Sequence, residues 1–358
     1  MVQDGGHVTK VPGIDWDAFV EWFSRSVPGY AVPTDARLLT GGHSNVTIRL
    51  SVEGGDLVLR RGPLGLQLES ANDMVREFTV QSALQESAVP VPRMIHVQRT
   101  ADPATGVDAP FYLMSAIEGR PLGERADNAG ADAAELRAAM LDLARRLAEL
   151  HLLAPSEVGL GEFGRPEGYL ARQLSRWGRQ LDALPPRDLP LLRELGARLA
   201  PAPDISAVSI LHGDYKPQNA LFRFGAGTAQ VAAILDWEMA TLGDPLADLS
   251  VFGLYWVMPF LDERIAGGFT SPVDPAAGYP RFSELLDAYR EVRPFSDDLR
   301  WHVAFACFKI GVINELLYQR ELSGTAVAEG DEQRGPVTEA LADTGLQVLA
   351  GRDILQEA

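Results

Sequence analysis

Two apolar runs, each followed directly by polar residues, lie close together in the segment from residue 210 to 238. The first run is Ile-Leu, which precedes His-Gly-Asp-Tyr-Lys-Pro-Gln-Asn, and the second is Val-Ala-Ala-Ile-Leu, which precedes Asp-Trp-Glu. Short apolar runs bounded by turn residues are typical of buried strands. We therefore expect two strands that deliver polar side chains to one place.

The polar residues after these strands are suited to phosphate chemistry. Asn219 and Asp236 offer an amide oxygen and a carboxylate, which are ligands for a Mg²⁺ ion bound to nucleotide phosphates. Asp214 can take or orient the proton of an attacking hydroxyl, and Lys216 can meet the transferred phosphoryl group. The alternative is two strands that end in polar turns, but it must explain the His-Gly-Asp-x4-Asn spacing and the second Asp together. His212 in such a turn is more typical of a hydrogen-bonded structural residue.

These motifs resemble the catalytic core of the aminoglycoside phosphotransferase-like, or choline-kinase-like, branch of the protein-kinase superfamily. There, His-Gly-Asp replaces the His-Arg-Asp of protein kinases, and Leu-Asp-Trp-Glu stands in the place of Asp-Phe-Gly. The resemblance implies an α+β, protein-kinase-like bilobal fold with ATP in the cleft. We expect a helical lead-in at 1–34, a small antiparallel-sheet nucleotide-binding lobe at 35–116, and a larger, mostly helical catalytic and substrate lobe at 117–358.

The turn after the first predicted strand contains a Gly-Gly pair whose backbone can approach a phosphate group. Gly41 and Gly42 let backbone N–H groups come close to phosphate oxygens, and Ser44 and Asn45 add side-chain donors. A hairpin with Gly-Gly is common, so the turn alone is weak evidence. In the family named above, a Gly-Gly-x-Ser-Asn loop occupies this place, which implies that these four residues bind the nucleotide.

The strand at 57–61 carries arginine where kinase-like folds place a lysine that holds the α and β phosphates and pairs with a helix glutamate. The resemblance assigns this position to Arg60, with Arg61 as the competing assignment. An Arg can still hold phosphate with two parallel hydrogen bonds. The implied partner is Glu77, in a predicted helix at 71–84, and a surface glutamate is the alternative.

The strand at 111–115 ends where kinase-like folds have the hinge between their lobes. The resemblance implies that backbone groups near Ser115 and Ile117 hold the adenine edge, with Met114 behind it. From the sequence alone, this segment is only a strand followed by a turn.

Several other polar residues are predicted to be structural. Asp248, near a helix start, can accept backbone N–H groups of the catalytic loop, and Asp244 fits a turn and cap position. His151 is more typical of a core or capping residue. The single cysteine, Cys307, lies in an apolar run and is predicted to be a buried thiol.

Composition narrows the function classes. The net charge of −17 argues against general nucleic-acid binding; it fits either cationic substrates or simply an acidic surface. The N-terminus shows no signal-peptide pattern, and no apolar stretch is long enough to span a membrane. With one cysteine, a cytoplasmic location is the expectation. Only Lys10, Lys216 and Lys309 are lysines among the 32 basic residues, which makes a lysine at the predicted site notable.

The sequence thus predicts a phosphotransferase that uses ATP and Mg²⁺ to phosphorylate a hydroxyl of a small molecule. The spacing Tyr-x3-Gln-x3-Trp-x2-Gln from residue 169 resembles the kinase-like domain of acyl-CoA dehydrogenase fusion proteins. Aminoglycoside-like and hydroxyacyl-CoA-like acceptors, amines and sugars stay open, as does the oligomeric state. The alternative, motivated by Arg60, is a nucleotide-binding pseudokinase or regulatory module without turnover.

Overall fold

The computed structural model describes residue 11 and residues 13–39, 45–62, 74–225, 227–295, 298–323 and 334–357. By their internal contacts the residues form two compact units. One unit runs to Glu118 and includes Asp236–Glu238, and the other consists of Gly119–Leu235 and Met239–Ala358. The predicted lobe boundary at residue 116 lies close to this division.

The described residues of the first unit form a five-stranded antiparallel sheet and two α-helices. The strand order is β1-β2-β3-β5-β4. Its elements, in chain order, are α1 (Trp16–Ser26), β1 (Asp35–Leu39), β2 (Val46–Ser51), β3 (Leu57–Arg61), α2 (Met74–Leu84), β4 (Met94–Gln98) and β5 (Phe111–Ser115).

The strand β3 has buried residues on both faces of this sheet. Leu57 and Leu59 belong to a core cluster that includes Phe19 of α1, whereas Val58 belongs to a second cluster with Met74 of α2. Successive residues of a strand point to opposite faces, so α1 and α2 cover the two sides of the sheet. A strand buried on both faces explains why this segment is a nearly continuous apolar run.

Of the helical lead-in predicted at 1–34, residues 1–10 and 12 lie outside the described residues, and the described part contains α1. This helix begins where the Asp15 side chain accepts the Ala18 N–H, 3.2 Å away. Its buried face consists of Phe19, Trp22 and Phe23. The Trp22 ring centroid lies 5.4 Å from that of Phe111 in β5. The helix is therefore part of the first unit's core.

The second unit is mostly helical. It contains a three-stranded antiparallel sheet of order β6-β8-β9 and a separate antiparallel pair of β7 and β10. Its elements are β6 (Arg120–Pro121), α3 (Ala133–Leu152), α4 (Tyr169–Asp182), α5 (Pro190–Arg198), β7 (Ser209–Leu211), β8 (Ala220–Gly225), β9 (Thr228–Ile234), β10 (Thr241–Gly243), α6 (Pro245–Val257), α7 (Glu263–Gly268), α8 (Phe282–Val292), α9 (Arg300–Leu322) and α10 (Arg334–Leu349).

The two apolar runs of the sequence form the strands β7 and β9. The two strands belong to different sheets, because β7 pairs with β10 and β9 pairs with β8. A hydrogen bond links the two sheets just beyond the ends of β7 and β9. The His212 Nε2 lies 2.9 Å from the Leu235 carbonyl oxygen. The polar segment after β7 therefore begins beside the end of β9.

The helix α9 passes through the centre of the second unit. It packs against α10, α6, α4 and α5, and its residues are buried on all sides from His302 to Val312. Cys307 lies in this stretch, and burial raises the pKa of its thiol to about 12. The prediction of a buried core thiol is confirmed.

Candidate active site

The His-Gly-Asp turn directly follows β7 and requires a glycine. Gly213 has φ of 86°, in the left-handed region that favours glycine. A Cβ on Gly213 would lie 2.5 Å from the Met239 carbonyl oxygen, which is too close for any side chain. The path of the turn therefore depends on glycine between His212 and Asp214.

A buried carboxylate from α6 holds the backbone of this turn. Asp248 accepts the N–H groups of His212 and Gly213, at 2.6 and 2.8 Å. Burial raises the pKa of Asp248, but the His151 ring and other positive charges outweigh that effect and hold the pKa below its usual range. The prediction that Asp248 fixes the loop is confirmed. Asp244 caps α6 through the Leu246 N–H, also as predicted.

The His212 ring bridges two backbone groups. Its Nδ1 accepts the Asp214 N–H at 3.3 Å, and its Nε2 lies 2.9 Å from the Leu235 carbonyl oxygen. A neutral ring with the proton on Nε2 satisfies both contacts. Because both ring nitrogens bond backbone groups, His212 is a hydrogen-bonded structural residue of the turn, which confirms the prediction.

Asp214 lies in a group of hydrogen-bond donors. Its Oδ2 accepts from Lys216 Nζ at 2.7 Å and from Asn219 Nδ2 at 3.0 Å. The Tyr255 ring centroid, on α6, lies 4.6 Å from Lys216 Nζ, and burial and the Asp214 charge raise the pKa of the Tyr255 hydroxyl. Burial alone would raise the pKa of Asp214, but Lys216, Lys309 and His212 lower it below its usual range. The carboxylate is therefore ionised at neutral pH.

The Asn219 amide has an orientation that suits a cation ligand. Its nitrogen donates to the backbone oxygen of Asp214 at 2.8 Å as well as to the side chain. Both bonds require the nitrogen on that side, so the amide oxygen faces the other way. The Asn219 carbonyl accepts the Leu235 N–H at 2.8 Å, and Asp236 is the next residue in the chain. The donor set of one amide oxygen and one carboxylate fits Mg²⁺.

Asp236 groups with the first unit, where it contacts Arg60. Arg60 Nη2 donates to Asp236 Oδ1 at 2.5 Å, and Arg60 Nε lies 3.1 Å from Glu77 Oε2. Asp236 has φ of 66°, an uncommon conformation for a residue with a side chain. The structure thus brings Asp214 and Asn219 together in one unit, and Arg60, Glu77 and Asp236 in the other. Convergence of all three oxygen-bearing residues stays a prediction.

The choice between Arg60 and Arg61 follows from strand alternation. Arg60 lies on the α2 side of the sheet, with Glu77. Arg61 lies on the opposite side, where it pairs with Asp108 and donates to the Gly13 carbonyl at 3.2 Å. Pairing with Glu77 therefore favours Arg60 over Arg61, and the phosphate-binding role of Arg60 stays a prediction.

Glu77 is fully buried and has several donors. Tyr112 donates its hydroxyl to Glu77 Oε2 at 2.9 Å, and Asn45 Nδ2 lies 3.2 Å from Glu77 Oε1. Burial and the Glu77 charge raise the pKa of Tyr112 well above its usual value, so the phenol stays a donor. The surface alternative for Glu77 is excluded by its burial.

Asn45 lies within reach of two carboxylates of the first unit. Its amide nitrogen is 3.2 Å from Glu77 Oε1 and 3.5 Å from Glu238 Oε2. Contact of Asn45 with phosphate stays a prediction. The other predicted phosphate-loop residues, Gly41, Gly42 and Ser44, lie outside the described residues.

The predicted adenine-binding segment lies at the end of β5. The Ser115 N–H donates to the Arg93 carbonyl at 2.9 Å, so this one donor is already used. Met114 is buried in the cluster beside α2. Ile117 lies beyond the end of β5 and is partly buried. Contact of the backbone near Ser115 and Ile117 with adenine stays a prediction.

Three contacting residues were not predicted from the sequence. Lys309 of α9 donates from Nζ to the Gly213 carbonyl at 2.6 Å, Tyr255 of α6 contacts Lys216, and Tyr112 of β5 contacts Glu77. All three lie far in sequence from the motifs that they contact. Only Lys309 carried a signal, because lysine is rare in this arginine-rich chain.

Comparison with known proteins decides the family. The family model for APH, the phosphotransferase enzyme family, matches residues 35–285. The chain belongs to this family. The matched range contains both APH motifs described above, the His-Gly-Asp turn and the Leu-Asp-Trp-Glu segment, so the resemblance inferred from them is confirmed.

Relatives and solved structures agree with the APH assignment. Acyl-CoA dehydrogenase family member 11 of Gallus gallus is 32% identical over 343 residues, covering 93% of this chain and 43% of that protein. The chain therefore spans less than half the length of the curated relatives that it matches. This similarity confirms the predicted likeness to acyl-CoA dehydrogenase fusion proteins.

Two crystal structures show the kinase-like APH fold. A Ralstonia eutropha JMP134 protein, provisionally described as an aminoglycoside phosphotransferase, is 28% identical with a TM-score of 0.78, covering 94% of this chain and 98% of that one. A variant of aminoglycoside phosphotransferase APH(4)-Ia in a ternary complex with AMP-PNP and hygromycin B is 15% identical with a TM-score of 0.54, covering 94% and 100%. The predicted α+β, kinase-like fold class is confirmed.

None of the helices in the described part of the chain combines the length and the apolar character needed to cross a membrane. Within the same residues, no group of three or more His, Cys, Asp or Glu side chains is arranged to hold a metal. The predicted pair of Asn219 and Asp236 has only one carboxylate, so it is not a group of that kind.

Proposed function

We propose that this chain is an ATP-dependent phosphotransferase that moves the γ-phosphate of ATP to a hydroxyl of a small molecule. The observation that carries the proposal is the Asp214 carboxylate. It is held between Lys216 and Asn219 on a turn that Asp248 fixes. Phosphoryl transfer requires mainly positioning and charge stabilisation, and a fixed, ionised carboxylate beside an ammonium group supplies both.

In this proposal Asp214 orients the acceptor hydroxyl and accepts its proton as the phosphoryl group leaves ATP. Its lowered pKa keeps it ionised, so it can accept a hydrogen bond from a neutral alcohol at pH 7. A carboxylate of low pKa is a weak base, which suits a reaction whose transition state is loose and whose proton moves late. Lys216 leaves Asp214 to meet the transferred phosphoryl oxygens.

The remaining charged residues serve the nucleotide. Asn219 and Asp236 would hold Mg²⁺, which supplies positive charge to the phosphate oxygens when it is bound. Arg60 holds the α and β phosphates, and Glu77 keeps its guanidinium in place through the 3.1 Å ion pair. Support for a nucleotide comes from the APH(4)-Ia structure with AMP-PNP, which has the same fold.

The acceptor is proposed only as a class. The named relatives suggest two: an aminoglycoside-like compound, from the structural neighbours, and a hydroxyacyl-CoA-like compound, from the acyl-CoA dehydrogenase relatives. A thermal-shift screen with Mg·ATP and aminoglycosides, choline-like amines, sugars or hydroxyacyl-CoAs distinguishes them. A stabilisation that requires both Mg·ATP and one acceptor class identifies the substrate.

The decisive experiment replaces the proposed base. We expect Asp214→Ala to lower turnover by about 10²–10⁴-fold, because it removes proton acceptance and orientation together. ATP affinity should stay within about threefold, since Asp214 makes no ground-state contact with the nucleotide in this proposal. Asp287→Asn, at an exposed carboxylate of α8, is the matched control and should keep full activity. Turnover near the wild-type rate in Asp214→Ala refutes the assigned role.

A further inference from the structure

Lys309 is a lysine in an otherwise apolar part of α9. Its side chain is buried, with 8% exposure, between Phe308 and Ile310. Burying an ammonium group is costly unless it finds hydrogen-bond acceptors and opposite charge. The contacts of Lys309 should therefore show what this charge does inside the second unit.

The ammonium group of Lys309 contacts the backbone of the catalytic turn. Nζ donates to the Gly213 carbonyl at 2.6 Å, and it lies 6.0 Å from the ring centroid of Trp177 in α4. Asp248 already accepts the N–H of Gly213 from the other side. The two flanking peptide groups of Gly213 are thus held by side chains of opposite charge, one from α6 and one from α9.

The Gly213 carbonyl belongs to the peptide group that joins Gly213 to Asp214. Its orientation therefore sets the direction in which the Asp214 side chain leaves the backbone. The left-handed φ of Gly213 and the contact with Met239 restrict this peptide further. A donor on this oxygen acts on Asp214 through one peptide plane, without touching the carboxylate.

Charge provides a second link between Lys309 and Asp214. Burial lowers the pKa of Lys309, whereas the charges of Asp214 and Asp248 oppose that effect. Lys309 in turn lowers the pKa of Asp214, together with Lys216. The other charged groups that act on Lys309 are Lys216 and, from α4, Arg176, and both disfavour its charged form.

We propose that Lys309 is a positioning residue for Asp214: by donating to the Gly213 carbonyl, it fixes the peptide group from which the Asp214 side chain leaves the backbone. The proposal rests on the proposed phosphotransferase function. It explains why an ammonium is buried here, because a compact donor reaches a single carbonyl between packed helices more readily than a planar guanidinium does.

The test compares Lys309→Met, which removes donor and charge at similar length, with Lys309→Arg, which keeps the charge. Arg300→Met, at an exposed arginine of the same helix, controls for the loss of one positive charge. The probe reaction is ADP release from Mg·ATP with water as the acceptor. A thermal melt of each variant establishes that it is folded.

We expect Lys309→Met to lower kcat by about 10- to 100-fold through misplacement of Asp214, with KM for ATP nearly unchanged. Lys309→Arg, which keeps a donor near the Gly213 carbonyl, should recover part of the lost kcat, and Arg300→Met should match the wild type. A purely structural role would lower the melting temperature but leave kcat of the folded variant near the wild-type value.

A measurement without turnover separates this proposal from the proposed function. Hydrogen exchange of a peptide covering residues 210–216 should be at least tenfold faster in Lys309→Met than in the wild type, because the turn loses a fixed carbonyl. If the wild type transfers no phosphate from ATP to water or to any acceptor class of the thermal-shift screen, the proposed function fails, and the exchange result alone decides whether Lys309 positions the turn. A folded Lys309→Met variant with unchanged exchange in this peptide overturns the proposal.

Discussion

The carboxylate of Asp248 gives the sharpest stability prediction. In Asp248→Asn, one side-chain oxygen still accepts a backbone N–H, but the new amide nitrogen faces the other N–H. Of the two bonds to His212 and Gly213, one is lost and leaves a buried donor without a partner, which costs about 1–3 kcal/mol. The surviving bond loses its charge assistance, which adds about 1 kcal/mol. We therefore expect a loss of about 2–4 kcal/mol in the free energy of unfolding.

Urea unfolding followed by far-UV circular dichroism measures this loss, with Asp287→Asn as the exposed control. Asp287 is 74% exposed and pairs with Arg290 at 3.4 Å, so its replacement should change the free energy by less than about 1 kcal/mol. The comparison separates the effect of a buried carboxylate from the effect of removing a negative charge from an acidic protein.

The pH dependence of the Asp248→Asn effect has a defined sign. The pKa of Asp248 is lowered in the folded state, so its contribution is fully present above the unfolded-state pKa of about 4. It disappears as the pH falls through the lowered folded-state pKa. The difference between wild type and Asp248→Asn should therefore be constant near neutral pH and shrink below about pH 4. A difference under about 1 kcal/mol at pH 7, or one that grows on acidification, refutes the reasoning.

Two further substitutions test the turn and the Arg60 pair. Gly213→Ala should cost about 2–4 kcal/mol in urea unfolding, from the left-handed φ and the 2.5 Å approach to Met239. Gly178→Ala, with nothing within 4 Å in α4, should instead stabilise by about 0.5–1 kcal/mol, and equal effects at both positions would contradict this. Glu77→Gln should weaken ATP binding about tenfold, because Arg60 loses the charge that holds it; isothermal titration calorimetry measures this, and unchanged affinity would show that the pair does not orient Arg60.

Local patterns in the sequence were sufficient for much of the fold. Alternation at Leu57 and Leu59 assigns those two residues to one face of β3, and the same alternation assigns Arg60 to the face of α2. The structural role of Asp248 was predicted from helix-start chemistry. These features depend on strand period and capping, which are determined by neighbouring residues.

Contacts between distant segments could not be predicted in the same way. Nothing local indicates that β7 pairs with β10 instead of lying beside β9, since both strands are short apolar runs. Lys309 is almost a hundred residues from Gly213. Only the packing of α9 against the His-Gly-Asp turn brings them together. The Ser115 N–H is another such case, because its partner, Arg93, comes from the segment before β4.

The contacts of Arg60 and of the turn before Asp214 favour the enzyme over the pseudokinase. Arg60 motivates the pseudokinase, but its guanidinium contacts Glu77 and Asp236 and has five N–H donors, so two carboxylates do not exhaust it. Nucleotide binding alone gives no reason to fix the turn before Asp214. Yet that turn is held from both sides by Asp248 and Lys309, two buried charges whose desolvation costs several kcal/mol each unless they are paired. Such a cost is expected if the orientation of the Asp214 carboxylate determines the rate of phosphoryl transfer. Binding of a nucleotide alone would not require it.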